Sequence, residues 1–364
     1  MFKAADLVRP HILYMPSYSP VLPFEVLSEQ LGLPTNRLIK MDANENPYGP
    51  LPEVRQALAN IPFPHIYPDP ESRELRAAIA DFHEVPVENI LVGAGADELI
   101  DLLMRLFLEP GDAMQTCPPT FGMYAFDGDV NGARLVSVPR RKDFSLDIEG
   151  IERAVHKEKP KLFFLASPNN PDGSLTGDDT LLRLLDLPTV IVLDEAYIDF
   201  ASPGCSWLTR VPSLENLVIL RTFSKWAGLA GMRVGYGVFP TNLMPYLWKI
   251  KQPYNVSVAA AAAAIVSLQN ASRLEEIGKK IVAERQALYE ALQEFSWLQP
   301  YPSQANFILC RVIGRQTDQI KKRLASSGIL IRYFDQPNLR DHLRISVGRP
   351  EDRKTLVKAL KGME

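Results

Sequence analysis

Lys225 closes the stretch Leu220-Arg221-Thr222-Phe223-Ser224-Lys225, directly behind the apolar run Leu217-Val218-Ile219-Leu220. Gly228-Leu229-Ala230-Gly231-Met232-Arg233 follows, rich in small residues and ending on an arginine. A lysine so placed is either a surface or ion-paired charge, the usual fate of charged side chains, or the amine of a Schiff base with an anionic cofactor. Ser224 and Arg233 offer a hydroxyl and a bidentate guanidinium to a phosphate.

Three other segments break from an apolar run into polar residues. In Val190-Ile191-Val192-Leu193-Asp194, the carboxylate ends a strand with no polar residue before it. It either caps the next helix or sits partly desolvated and wants a cation. The protonated ring nitrogen of pyridoxal phosphate would serve, and Tyr197 stands three residues on, within reach of the ring's phenolic oxygen. Ser167-Pro168-Asn169-Asn170-Pro171-Asp172-Gly173 holds ordinary turn dipeptides, yet Pro171 would fix the Asn170 amide as a donor. Val92-Gly93-Ala94-Gly95-Ala96-Asp97-Glu98 passes from strand to glycine turn to helix, an anion site by its free N–H groups and dipole. Glu98 breaks the dinucleotide spacing, so one phosphate monoester suits the turn better. Arg344, in Leu343-Arg344-Ile345-Ser346, is flanked by apolar residues in a strand. It needs an anion, either a substrate carboxylate or a structural carboxylate.

The elements that position these residues read as alternating strands and helices. Apolar runs at 89–92, 161–165, 189–193 and 217–220 are strands, with another at 133–138. Helices are expected over 97–108 and 180–187, and one from Ser72, as N-cap, to Phe82. Continuous apolar strands between helices predict a mostly parallel sheet sandwiched by helices. Ala259 to Ala264 reads as a helix packed closely against a core or a subunit interface. Beyond it come a long helix over 272–295, strands at 307–312, 329–332 and 343–347, a helix over 317–326 and another from Pro350. That is a smaller α+β domain. The expected division is an N-terminal arm over 1–50, a large domain over 51–268 and a small domain over 269–364. The arm is proline-rich, with Phe24 to Leu31 its helical window, and is expected to pack on the small domain and a partner subunit.

Composition narrows the function. The chain has 364 residues, 46% hydrophobic and 23% charged, with a formal net charge of -3. Such a balance gives no bulk attraction for nucleic acid or an acidic membrane. Three scattered cysteines and five scattered histidines form neither a disulfide framework nor a metal motif, so no metal is expected and a reducing cytosol is. No apolar stretch approaches the roughly 20 residues of a membrane span.

Taken in order, these motifs resemble the fold-type-I pyridoxal-phosphate aminotransferases, and within them the histidinol-phosphate aminotransferases. The resemblance runs from Asp42-Ala43-Asn44-Glu45-Asn46-Pro47-Tyr48-Gly49 to Leu343-Arg344-Ile345-Ser346-Val347-Gly348. It implies pyridoxal 5′-phosphate on Lys225, with Asp194 on the ring nitrogen and Tyr197 and Asn170 on the ring oxygen. It further implies Ala96, Asp97, Ser224 and Arg233 around the cofactor phosphate and Phe121 stacked on the ring. Tyr67 would reach that phosphate from the other subunit of a homodimer with shared sites. Arg344 would bind the substrate carboxylate; Tyr18 and Arg332 would meet the substrate's phosphate, with Asn46 lining the same pocket. The implied reaction exchanges an amino group between L-histidinol phosphate and 2-oxoglutarate in the cytoplasm, giving imidazole-acetol phosphate and glutamate. An aromatic amino-acid aminotransferase and a threonine-phosphate decarboxylase share the fold and stand as alternatives. The chain departs from the family in Phe121 for tyrosine, Asp172 for threonine, and Trp226-Ala227 after the lysine.

Overall fold

A computed structural model of the chain describes residues 2–16 and 22–363. Its strands are β1 (Ile39–Met41), β2 (Ile90–Gly93), β3 (Ala113–Thr116), β4 (Arg134–Ser137), β5 (Leu162–Ala166), β6 (Val190–Asp194), β7 (Leu217–Thr222), β8 (Gly235–Val238), β9 (Leu298–Pro300), β10 (Phe307–Val312), β11 (Ile329–Tyr333) and β12 (His342–Ser346). They make a seven-stranded sheet in the order β2-β8-β7-β6-β5-β3-β4 and a five-stranded sheet in the order β1-β11-β12-β10-β9.

The large sheet is parallel from β4 through β7, while β8 runs antiparallel to both β7 and β2. β5 and β7 are buried throughout, as continuous apolar strands covered on both faces must be. Pairing places Ala166 beside Asp194, Asp194 beside Leu220, Thr222 beside Gly235 and Gly235 beside Gly93. The carboxyl ends of β5, β6, β7 and β2 therefore share one edge, where a sheet of this kind holds ligands.

Glycine makes part of that edge possible. A Cβ on Gly235 would lie 2.6 Å from the Ala96 backbone nitrogen, so no other residue lets the helix Ala96–Phe107 start so close to the sheet. That helix presents Leu99, Ile100, Leu102, Leu103 and Met104 to the core.

The small sheet is mixed. β12 is antiparallel to β10 and β11, and β1 joins β11 in parallel. The first 50 residues thus lend a strand to the small sheet. Their other end meets the large sheet's side: Arg9 donates to the Val130 carbonyl at 2.9 Å. The long helix Ala271–Gln293 lays Leu274, Ile281, Leu288 and Leu292 into the core, four positions on one helical face. The six alanines lie in the helix Val258–Gln269, capped by Ser257, whose hydroxyl accepts from Ala260 N–H at 3.1 Å. It packs on the helices Pro52–Ala59 and Arg73–His83.

Ser72 does not cap the helix it precedes. It stands in the left-handed region at φ 49°, with its side chain making no cap bond. Asp69 takes the capping part, accepting from Glu71 N–H at 3.1 Å and Arg73 N–H at 2.8 Å. A carboxylate reaches those amides from a turn earlier than the spacing rule allows for.

Candidate active site

The shared edge of the large sheet holds a cavity of about 120 Å³. Ala96, Asp97, Phe121, Asn170, Asp194, Tyr197, Ser224, Lys225 and Arg233, all singled out by sequence, line it. Ala166, Ala196 and Thr222 complete the wall.

Lys225 reaches the site from the turn after β7. Its ammonium donates to the Ala43 carbonyl at 3.3 Å and stands 5.8 Å from the centre of the Tyr197 ring. Gly228, at φ 68°, lets this turn pass against the backbone of Gly49, where a Cβ would meet the carbonyl at 2.6 Å.

Asp194 is buried, accepting from the Tyr124 hydroxyl at 2.6 Å and from Ala196 N–H at 3.0 Å. Burial pushes its carboxyl up to about 6, against the pull of those two donors. Among the described residues it forms no ion pair with a cation. Tyr124 was not singled out by sequence. It is fully buried, stacked on Phe164 at 5.1 Å and edge-on to Phe121 at 5.5 Å. Burial and the neighbouring carboxylate hold its phenol well above the ordinary range, so it remains a donor.

Tyr197 accepts at its hydroxyl oxygen from Asn44 Nδ2 at 3.1 Å. Asn170 accepts at Oδ1 from Arg344 Nη1 at 2.6 Å, which leaves its NH2 group for the cavity. Arg344 also donates to the Asp42 carbonyl at 2.7 Å. At the phosphate end, Arg233 donates from Nη2 to the Asp97 carboxylate at 2.6 Å. A Cβ on Gly95, which stands at φ 86°, would lie 2.6 Å from the same Arg233 nitrogen. Glu98 closes the glycine turn, accepting from Ala94 N–H at 2.5 Å and Asn255 Nδ2 at 2.7 Å.

Arg332 and Arg344 are direct partners across β11 and β12, so both side chains leave the same face of the small sheet. Both guanidinium groups lie within 5.7 Å of the Phe334 ring centre. The Asn46 amide donates to the Trp226 carbonyl and accepts from Tyr48 N–H, both at 2.9 Å, so it pins the lysine turn beside the cavity. Tyr67 stands apart from its own chain's cavity, 79% exposed and stacked on Tyr254 at 4.7 Å. Tyr18 lies outside the described residues.

A buried carboxylate lacking a cation, a lysine, a phenol and an amide around one small cavity, with an arginine at a helix start, suit a phosphorylated pyridine aldehyde. Such a group has a basic ring nitrogen, a ring oxygen and a phosphate, and the cavity offers a carboxylate, hydroxyl and amide groups and a guanidinium to match them. Fold and site together define a pyridoxal-phosphate enzyme of fold type I.

Comparison with known proteins narrows this further. The model of the aminotransferase class I and II family matches residues 36–360. The chloroplastic histidinol-phosphate aminotransferase of Nicotiana tabacum is 54% identical over 97% of this chain and 86% of that protein. The histidinol-phosphate aminotransferase of Roseiflexus castenholzii is 51% identical over 98% of this chain and 97% of its own length. The crystal structure of the Sinorhizobium meliloti enzyme of that name, in complex with pyridoxal 5′-phosphate, superposes with a TM-score of 0.89 at 30% identity, covering 98% of each chain. The chain belongs to the class I and II aminotransferases, in the histidinol-phosphate aminotransferase family.

Proposed function

We propose that this protein transfers the amino group of L-histidinol phosphate to 2-oxoglutarate, using pyridoxal 5′-phosphate. The observation that carries the reading is the cavity itself, with Lys225, Asp194, Tyr197 and Asn170 in one wall and paired arginines on the small sheet beyond. The relatives named above support the choice of substrate.

The bound cofactor supplies an electron sink for the charge left when the substrate α-carbon loses its proton. Lys225 would hold the cofactor at Nζ, and its free amine would move the proton of the substrate α-carbon. Asp194 keeps a positive ring nitrogen in place, and Tyr124 and Ala196 N–H keep Asp194 aimed at it. Tyr197 and Asn170 orient the ring through its oxygen. Ser224, Arg233 and the backbone at Ala96 and Asp97 hold the phosphate, fixing the ring against rotation.

Arg344 takes the α-carboxylate of glutamate. Histidinol phosphate has a phosphate ester in place of that carboxylate. A dianion there is met by two cations, and Arg332 stands directly opposite Arg344. The small sheet thus reads the anionic end of both substrates.

A homodimer with shared sites accounts for Tyr67, an exposed ring that stands away from its own chain's cavity. The exposed Phe63 and Ile66 beside it extend the apolar patch, as a subunit interface would. The division at 1–50, 51–268 and 269–364 fits the two sheets, with Ile39–Met41 as the arm's contribution to the second. No helix among the described residues is long and apolar enough to cross a membrane. The cysteines are unpaired, as in a reducing compartment, and we place the reaction in the cytosol.

The test is direct. Purified protein with cofactor, 2-oxoglutarate and histidinol phosphate should form glutamate, and phenylalanine in its place should form far less. Turnover of phenylalanine but not of histidinol phosphate would overturn the substrate assignment.

A further inference from the structure

We propose that Asn44 is a positioning residue that sets which way the Tyr197 hydroxyl proton points, and so makes Tyr197 a donor into the cavity. The inference rests on the reading that Tyr197 faces the cofactor's ring oxygen.

Asn44 touches no reacting group. It is 1% exposed and stands in the left-handed region at φ 56°, a conformation that asparagine tolerates better than most residues. Every polar group it has is bonded. Its backbone N–H donates to Ser346 Oγ at 2.9 Å, and its carbonyl accepts from Asn306 Nδ2 at 2.9 Å. Its side-chain Oδ1 accepts from Ser346 Oγ at 2.8 Å, and its Nδ2 donates to Tyr197 Oη at 3.1 Å.

The direction of these bonds follows from proton counting. Ser346 Oγ already accepts from the Asn44 backbone, so its single proton is the one available for Asn44 Oδ1. That fixes the amide with its NH2 toward Tyr197. An NH2 group cannot accept, so Tyr197 Oη takes a lone-pair bond on this side and its own proton must go elsewhere. The open direction is the cavity that Tyr197 lines. Turning the amide over would set two donors on Ser346 and let Tyr197 donate to Asn44 instead. The cavity would then lose its phenolic donor while every residue kept its place. Ser346 lies on β12 two residues beyond Arg344, so the proton order at the cofactor is anchored in the small sheet.

A donor favours the charged form of the oxygen it faces. Loss of the donor should therefore raise the pH at which the visible absorption of bound cofactor converts, by about one pH unit for one hydrogen bond to a charged group. The experiment is a pH titration of that absorption, with the dissociation constant of pyridoxal phosphate from the apoprotein measured beside it. The variants are Asn44→Gly, which keeps the left-handed backbone, Asn44→Asp, Tyr197→Phe and the double variant Asn44→Gly/Tyr197→Phe.

Asn44→Gly is expected to move the titration upward in the direction of Tyr197→Phe and to weaken cofactor binding several-fold. The double variant should titrate with Tyr197→Phe alone. Asn44→Asp keeps size and the Ser346 bond but offers Tyr197 an acceptor, so it should shift the titration at least as far as the glycine variant. If Asn44→Gly fails to fold, the aspartate variant decides. A wild-type titration in the folded Asn44 variants, or a shift that adds to that of Tyr197→Phe, overturns the inference and leaves the role of Tyr197 standing. A wild-type titration in Tyr197→Phe itself overturns both.

Discussion

Tyr124 and Asp194 form a buried pair in which the phenol donates at 2.6 Å to a carboxylate that has no cation of its own. The tyrosine enters from the helix Met123–Asn131 and the aspartate from the end of β6, so the bond ties two layers of the large domain behind the cavity wall. Removing the donor should raise the Asp194 carboxyl above its present value of about 6. Tyr124→Phe is then expected to bind pyridoxal phosphate on the order of tenfold more weakly near pH 7. The deficit should shrink as pH rises, because the carboxyl ionises without help once the pH is well above its own value. Cofactor dissociation constants at acid and alkaline pH check this; an equal loss at both would refute it.

Asp194 also has a stability consequence in the cofactor-free protein. Its carboxyl is raised from 3.8 to about 6 by burial. Between those values the unfolded chain has released the proton and the folded chain still holds it. The unfolded state binds fewer protons, so stability falls as pH rises through that window and stays lower above it. A shift of about two pH units corresponds to on the order of 3 kcal/mol. Asp194→Asn apoprotein should therefore resist denaturant better than wild type at pH 8, with the advantage gone below about pH 4. Urea midpoints at the two pH values measure it. The same variant should be nearly inactive, an example of stability set against function.

Much of this site is legible in sequence because of how a parallel sheet works. Lys225, Asp194 and Asn170 each follow an apolar run, and parallel strands carry the ends of such runs to one edge. Arg233 and the glycine turn are legible from their small neighbours. Tyr124 is not, because it sits inside a helix and its partner lies 70 residues away. The only hint is its place three residues after Phe121, just inside the helix Met123–Asn131. Asn44 is hidden for the same reason, with partners 153 and 302 residues distant. β8 escapes notice because Gly235 and Gly237 read as turn residues, whereas their missing side chains make room for Ala96 and Phe239.

Lys225→Ala should fold and keep measurable affinity for pyridoxal phosphate through the ring and phosphate contacts. Glutamate formation should fall by several orders of magnitude, since both covalent attachment and proton transfer are lost. Retained turnover would remove Lys225 from the mechanism.

The paired arginines should separate by substrate. Arg344→Gln is expected to lower kcat/KM for both glutamate and histidinol phosphate by about a hundredfold or more, as loss of a charge-assisted bidentate contact does. Arg332→Gln should affect histidinol phosphate more than glutamate. Equal effects of Arg332→Gln on the two substrates would rule out its assignment to the phosphate.

Shared sites predict complementation. Tyr67→Ala and Lys225→Ala chains should each be impaired alone as homodimers. When the two are unfolded, mixed and refolded together, hybrid dimers would combine the intact lysine of one chain with the intact tyrosine of the other. Part of the activity should return. No recovery from a mixture shown to contain hybrids would confine the site to one chain.

The carbonyls of Asp42 and Ala43 and the side-chain amide of Asn44 meet Arg344, Lys225 and Tyr197 in turn. Three consecutive residues thus touch all three side chains, with no joint between them. A segment of this length spans at most about 7 Å between its outer α-carbons. Under the proposed function it acts as a ruler, fixing how far Arg344 stands from the Lys225 amine. Glutamate carries its carboxylate on the amine-bearing carbon, whereas histidinol phosphate sets its anion two bonds further out, so the ruler would gauge the first and leave the second to Arg332, opposite Arg344.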